Sequence, residues 1–402
     1  NNLTFNGSSQ QTFSGSGTND FNNLILNNSN GLILSADSIN ITNVLESQSG
    51  TINHSGSKIV LRSTVNDVAG MIKVNSASDY SYNSGYVNVQ RFYNTGVNDW
   101  RMLGSPIEKK IDGNPADLSI WDDEFDYCGF TGSDYTYGSC GNFCSVWFYE
   151  ESNATNSSSD DGLDSATNIT NSVSGAKGVL IYESSGNTTL SVTGEPEFSD
   201  ISKSISRGSS HSNRGFHLIS NPYPCTLGWA EFYADNFSVI DDSFYEYDGL
   251  NNVFTSHDNL DNIDIAHSQS VWIKKLNVGP SNINFSVSQT LNTQVIFYKS
   301  INGINKKLEV ILKNNQSNKT DKAKIHASPN FNNISNPGKD IDKLFSTYPE
   351  YVSNIYILRD SNYLDKACVN NNLDVDLTLG IRSGQFVLGT HSITLNNNSE
   401  FM

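Results

Sequence analysis

The sequence predicts an all-β protein: an N-terminal β-solenoid of parallel β-helix type, followed by antiparallel β-sandwich domains. Three observations lead there. Charged residues make up only 17% of the 402-residue chain, and Asn, Ser, Thr and Gly crowd every segment, residues whose short polar groups compete with helical hydrogen bonds and favour turns. In the first eighty or so residues, short apolar runs end repeatedly in Asn, Gly or Ser. Beyond Tyr86 the texture changes to aromatic-rich alternating runs separated by Gly, Pro, Asn and Asp.

The head reads "LTFNG", "FNNLILNN", "NGLILSAD", "SINITNVLE", "SGTINHSG", "SKIVLRS". Runs of two or three alternating apolar positions recur about every eight to twelve residues, the punctuation of strands and turns. Stacked rungs hide their apolar faces against one another, so Leu24, Leu26, Leu32, Leu34, Ile39, Ile41, Ile59 and Leu61 are expected to point inward. A sandwich of hairpins is the competing arrangement. After the head, "YVNVQRFYN", "WRMLGSPI", "SVWFYEES", "GVLIYESS" and "TLSVTGEP" read as antiparallel strands. "TNSSSDDGLDSATNITNSVS" has no apolar period and reads as a long solvated loop. A third set, "KLEVILKNN", "KAKIHAS", "NIYILRD", "VDLTLGI" and "GQFVLGTHSITLN", surrounds "KDIDKLFSTYPE", which alone has helical character. The expected division is 1–84 solenoid-like, 85–296 a jelly-roll-like sandwich, and 297–402 a C-terminal sandwich.

A net charge of -17 argues against nucleic-acid binding, since it repels phosphate. No stretch approaches the roughly 20 apolar residues of a membrane helix. No basic and apolar leader opens the chain, so any signal peptide is expected to have been removed already. Five cysteines are an odd number. Disulfide pairing within Cys128, Cys140 and Cys144 is the preferred reading, with Cys225 and Cys368 standing apart; which pair forms is open.

Within "RGFHLISNPYPCTLGW", Pro222 and Pro224 lack an amide donor, so they end the "FHLIS" strand in a rigid corner. Asn221 can satisfy the freed backbone there, and Trp229 can pack beneath it. The rival expectation is that Tyr223 or Trp229 stacks on a sugar ring. Acidic runs at Asp122, Asp123, Glu124 and Asp126, at Asp160, Asp161 and Asp164, and at Asp241, Asp242 and Asp248 raise the question of calcium, which takes about six to eight oxygens. Asp122, Asp123 and Asp126 are the better candidates, beside aromatics; solvated loop charges are the alternative. Catalytic patterns are thin. No HExxH, zinc-type CxxC pairing, nucleophile elbow or phosphate-cradling loop occurs, and no enzyme is expected. Asn-x-Ser/Thr at Asn2, Asn40, Asn153, Asn168, Asn187, Asn236 and Asn333 reflects Asn-rich turns.

Taken in order, "VNVQRFY…WRMLGSPI", "WDDEFDYCGFTGSDY", "SVWFYEE", "KGVLIYE", "LSVTGEP", "RGFHLISNPYPCTLGW", "AHSQSVWIKK" and "KDIDKLFS…IYILRD…LTLGIRSGQFVL" resemble the skeleton of large secreted Bacteroidetes proteins carried by the type IX secretion system, in the region ahead of their C-terminal sorting domain. The resemblance covers about Tyr86 to Leu395. It implies an extracellular, surface-attached or released, adhesin-like or fibre-forming protein. The implied partners are the type IX translocon and its outer-membrane shuttle proteins during export, then surface polysaccharide or other cell-surface proteins. A carbohydrate-binding module of a polysaccharide-degrading system is the alternative. The same lineage implies O-linked sugars on Asp-Ser/Thr followed by a small or aliphatic residue, which points to Ser38 and Ser165. No sorting domain is recognisable by "NNNSEFM", and the cysteines are not a family feature.

Overall fold

The computed structural model describes residues 1–63, 68–93, 99–154, 162–183, 188–209, 214–248, 251–258, 261, 263–294, 307–327, 340–346, 351–369 and 376–397. Strand dominates and several sheets are antiparallel, so the all-β expectation holds.

In the head, β1 (Asn2–Phe5), β2 (Gln11–Phe13), β3 (Thr18–Asn27), β4 (Leu32–Leu34), β5 (Ser38–Ser49), β6 (Ile52–Leu61), β7 (Met71–Lys73) and β8 (Tyr80–Tyr93) pair in parallel. Through β1 to β6 opposite residues are about 20 residues apart. Asn2 lies opposite Asn23, Thr18 opposite Ser38, and Ser38 opposite Lys58, steps of 21, 20 and 20. A second ladder joins β2, β4 and β6 at steps of 21 and 20, from Gln11 to Leu32 to Ile52. From β6 to β8 the step lengthens to 28, Lys58 opposite Tyr86. Because the step recurs, inward apolar positions stack on one another, Leu24 on Leu45 and Ile39 on Ile59. Leu24, Leu26, Leu32, Leu34, Ile39, Ile41, Ile59 and Leu61 are all 0% exposed, as the alternation predicts, and each such burial is worth about 1.5–3 kcal/mol. Polar side chains bond between rungs: Asn43 Nδ2 donates to Asn23 Oδ1 at 2.6 Å and Asn40 Nδ2 to Asp20 Oδ1 at 2.7 Å. The turn at Gly50 needs glycine, since its φ is +92° and an added Cβ would meet the Asn28 carbonyl oxygen at 2.0 Å.

The next strands are β9 (Asp99–Leu103), β10 (Ile107–Lys110), β11 (Val146–Tyr149), β12 (Leu163–Ser165), β13 (Val179–Glu183) and β14 (Thr188–Pro196). β8 pairs in parallel with β6 and antiparallel with β14, and as one strand it runs through residues 84 and 85, where its register against β6 shifts between Ser84 and Tyr86. β12, β11, β13 and β9 form a four-stranded antiparallel sheet. This corrects part of the expected long loop. Leu163–Ser165 is a strand because its backbone pairs with Trp147–Tyr149; Asp160 and Asp161 lie outside the described residues, as do Asn187 and Asn333.

Then come β15 (Ile201–Arg207), β16 (Phe216–Ser220), β17 (Thr226–Leu227), α1 (Trp229–Asn236), β18 (Ile240–Asp248), β19 (Val253–Asp258), β20 (Ser270–Lys275), β21 (Gly279–Phe285) and β22 (Thr290–Leu291). β16, β20, β18 and β19 make an antiparallel sheet, while β15 pairs with β21 and β17 with β22. One contiguous apolar cluster reaches from Phe5 through Trp121 and Trp229 to Val287.

The C-terminal part holds β23 (Lys307–Asn314), β24 (Thr320–Ala327), β25 (Ile341–Asp342), β26 (Asn354–Arg359), β27 (Asn362–Val369), β28 (Thr378–Arg382) and β29 (His391–Asn397). They form one sheet in the order β28-β26-β27-β24-β23-β29, with β25 beside β27. It is mixed, because β24 and β27 run parallel. Its own core includes Val310, Leu312, Ile325, Ile355 and Ile357, while Leu379, Ile381, Ile393 and Leu395 on its outer strands are exposed. The helical reading of "KDIDKLFSTYPE" is overturned over residues 340–346; Lys339 and residues 347–350 lie outside the described residues. Ile341 pairs with Lys366 in the sheet, and Ile341 and Leu344 pack with Met102, Tyr245 and Trp272; burial on both sides outweighs local propensity. No helix among the described residues is long and apolar enough to cross a membrane.

Candidate functional site

The proline corner folds as a brace. After β16 ends at Ser220, the Asn221 side chain takes over the work of the ladder. Its Nδ2 donates to the carbonyls of Cys225 (2.7 Å) and Ile265 (3.1 Å), and its Oδ1 accepts the Tyr223 N–H at 3.0 Å. Tyr223 is 0% and Trp229 1% exposed. The Tyr223 hydroxyl donates to Ser199 O at 3.1 Å, and Trp229 Nε1 donates to Asp242 O at 3.0 Å. Trp229 also packs on Phe244 with ring centres 4.8 Å apart. Sugar stacking on Tyr223 and Trp229 is therefore corrected: neither ring has an open face.

The acidic loop does not close around a point. Asp122, Asp123 and Asp126 are exposed, and Glu124 turns inward, its Oε1 accepting the Ser191 N–H at 3.0 Å. Burial pushes the Glu124 carboxyl up to about 7. Among the described residues no group of three or more His, Cys, Asp and Glu side chains is placed to hold a metal ion. Cys128 and Cys140 form a disulfide with Cα atoms 6.4 Å apart. Cys144 is a buried free thiol donating to Val146 O at 3.2 Å. Ser38 opens β5 and is half-buried; Ser165 is also half-buried and lies opposite Trp147 in a strand, where a loop was expected.

The densest polar chemistry lies elsewhere, in a buried ionic seam between the β16-β20-β18-β19 sheet and the C-terminal sheet. In the parallel pairing Lys324 sits opposite Lys366, and two adjacent ammonium groups repel unless answered. Carboxylates from the end of β19 answer them: Lys366 is bonded to Asp258, and Lys324 lies 3.9 Å from Asp261. His257 Nε2 is 3.0 Å from Glu246 Oε2, and Glu246 also accepts from Gln269. Lys274 pairs with Asp342, and Arg359 Nη1 with Asp340 at 3.0 Å. Lys343 sits between Asp321 (2.8 Å) and Asp365 (2.9 Å).

Burial governs the proton affinities here. It pushes Asp241 up to about 7, helped by Asp242, and pulls His326 down to about 4, helped by Lys366. His326 Nε2 is buried without a hydrogen-bond partner. Buried pairs of this kind add little net stability, but removing one partner costs about 3–5 kcal/mol. The seam therefore specifies one docking of the two sheets.

Sequence reasoning singled out Asp241, Asp242 and Asp248 as calcium candidates or solvated loop charges and missed the seam. A signal was present: "TDKAKIHA" and "NYLDKACV" are strands carrying charges amid apolar residues, and such charges need partners when the strand is internal. The partners lie far off in sequence; Ser256, for example, donates to Asp365, 109 residues away. No family model, no curated protein and no solved structure matches this chain.

Proposed function

We propose that the chain is a non-enzymatic extracellular protein displayed on a cell surface, an adhesin or a structural fibre component exported by type IX secretion. The parallel ladder of residues 2–93 carries this reading. Steps of 20 or 21 residues stack apolar on apolar at inward positions, Leu3 on Leu24 on Leu45 and Ile39 on Ile59, which adds length at about 4.8 Å per rung without creating a reaction cleft. In this reading the ladder is a β-solenoid, and residues 85–296 and 297–402 are β-sandwich units that present loops at its end. The disulfide suits an oxidising exterior. Export partners are the translocon and its shuttle proteins, and surface polysaccharide or neighbouring surface proteins are the contacts after export.

Antibody labelling of intact cells of the source strain tests the proposal. Label on intact cells, removed by mild protease and absent from a translocon-deficient strain, is the expected result; label seen only after lysis refutes it.

A second reading, glycan binding, has one observation in its favour. Tyr351 and Phe386, 58% and 54% exposed, stack with ring centres 5.2 Å apart. Tyr351 also lines a small recess with Asn314, Lys319 and Ser353. A glycan array with wild type and Tyr351→Ala distinguishes it: one defined oligosaccharide bound by wild type and lost in the variant favours the module. We also propose that calcium binds at Asp122, Asp123 and Asp126; equal melting temperatures in calcium and in chelator would remove it.

A further inference from the structure

Residues 340–346 thread Lys343 between the two sheets, where its side chain is 0% exposed and those of Asp321 and Asp365 are 1% and 3%. Its Nζ lies 2.8 Å from Asp321 Oδ1 and 2.9 Å from Asp365 Oδ1. The two carboxyl groups are held in different ways. Oδ2 of Asp321 accepts two N–H donors, Ile355 N at 2.8 Å and Asn354 Nδ2 at 3.2 Å. Oδ2 of Asp365 accepts the Ser256 hydroxyl. One amine thus faces a carboxyl whose far oxygen sits in a two-donor cradle, while a second carboxylate touches the same nitrogen. A simple ion pair needs neither the second acid nor the cradle.

We infer that Lys343 and Asp321 join in a self-catalysed isopeptide bond, with Asp365 as the proton-transfer group. Asp365 takes one proton from the Lys343 ammonium and passes it to Asp321 Oδ1, leaving an amine beside a neutral acid. The Nζ lone pair attacks Asp321 Cγ, and the charge that gathers on Oδ2 is held by the Ile355 and Asn354 N–H groups, the role such donors play in acyl transfer. A second nitrogen proton crosses through Asp365 to Oδ1, the C–O bond breaks, and water leaves. Ammonium and carboxylate become one secondary amide and one water, Asp365 is restored, and no oxidant or reductant is needed.

The surroundings assign the roles. Burial and the nearby Asp365 hold Asp321 above the usual aspartate range, towards the neutral form that loses water. At Asp365 burial is outweighed by Lys343, Lys324 and the Ser256 hydroxyl, which hold it below that range as a base. Burial also opposes the Lys343 ammonium, yet the two acids hold it above its usual range, so a proton must be drawn off before the amine can attack. The bond would close a loop between residues 22 apart and tie β24 to the segment lying between the sheets.

Intact mass spectrometry of the purified, disulfide-reduced full chain tests this. The expected mass is one water below that of the sequence, with a branched proteolytic peptide joining Asp321 to Lys343. Lys343→Arg and Asp365→Asn are expected to restore the full sequence mass. Asp321→Asn is expected to keep the cross-link, releasing ammonia in place of water. A folded wild type at its full sequence mass overturns the inference, as does a water loss confined to a linear peptide. A cross-link that persists in Asp365→Asn overturns the role given to Asp365. The wild-type measurement alone is decisive, so a variant that fails to fold does not obscure the answer.

Discussion

Replacing Glu151 with Ala should open the loop before β16 far more than a surface substitution could. Glu151 begins a short 3-10 turn, with its side chain 2% exposed, and is a hub for five donors. Arg214 Nε and Nη2 reach it at 2.7 and 3.2 Å, the Gly208 and Gly215 N–H groups at 3.0 and 3.1 Å, and the Ser206 hydroxyl at 3.4 Å. Removing one partner of a buried ion pair costs about 3–5 kcal/mol, a change of roughly a hundredfold to a few thousandfold in local opening. Hydrogen–deuterium exchange read by mass spectrometry, on peptides containing Gly208 and Gly215, should show that acceleration after correction for intrinsic rates. Glu151→Gln, which keeps an acceptor, should lie between. The pH dependence has a defined sign. Burial works against the Glu151 carboxylate, but Arg214 and the two glycine amides hold it below its ordinary 4.5. Its contribution is therefore complete above about pH 4.5 and is lost as pH falls through the lower folded value. Unchanged exchange in Glu151→Ala would refute this reasoning.

Three further outcomes are expected. Asp241, raised to about 7 by burial and Asp242, favours folding when protonated, so wild-type stability should decline as pH rises from about 4 through about 7; the melting temperature of Asp241→Asn should lack that decline. Asn221→Ala removes three hydrogen bonds at a position 0% exposed and should cost about 2–4 kcal/mol in denaturant unfolding, whereas a loss under 1 kcal/mol would mean that the corner does not depend on it. Cys128→Ser with Cys140→Ser frees a loop of sequence separation 12 and should lower stability by about 3 kcal/mol on a chain-entropy account, measured by calorimetry against the oxidised wild type.

How far the fold was legible depended on how local its causes are. The eight inward head positions follow from alternation alone, because a strand's side chains switch sides every residue. Pro222 and Pro224 announced their corner for an equally local reason. α1 escaped notice because "WAEFYADN" is short and flanked by strands, and Trp229 and Phe232 are held by burial more than by propensity. "KDIDKLF" misled because its local pattern carries no record of the sheets around it, where the Lys343 side chain is fully enclosed. The contacts that cross the seam join distant partners, Lys274 with Asp342 68 residues apart and Lys366 with Asp258 108 apart, and no spacing within a window of sequence records such pairings. Tyr223 and Trp229 showed the reverse failure: an aromatic at a turn says nothing of whether its ring faces water.

The constant step of the head ladders has a bearing on how its length can change. Removing about 20 residues from within β3 to β6 takes out one whole storey, so inward apolar positions, which pair as Leu24 with Leu45 and Ile39 with Ile59, still meet apolar ones at the new joint. A cut of ten would set polar side chains against the dry interior along every remaining contact. Variation in the number of storeys is thus cheap, while variation within one is not, and close relatives of this chain should differ in head length by multiples of that unit.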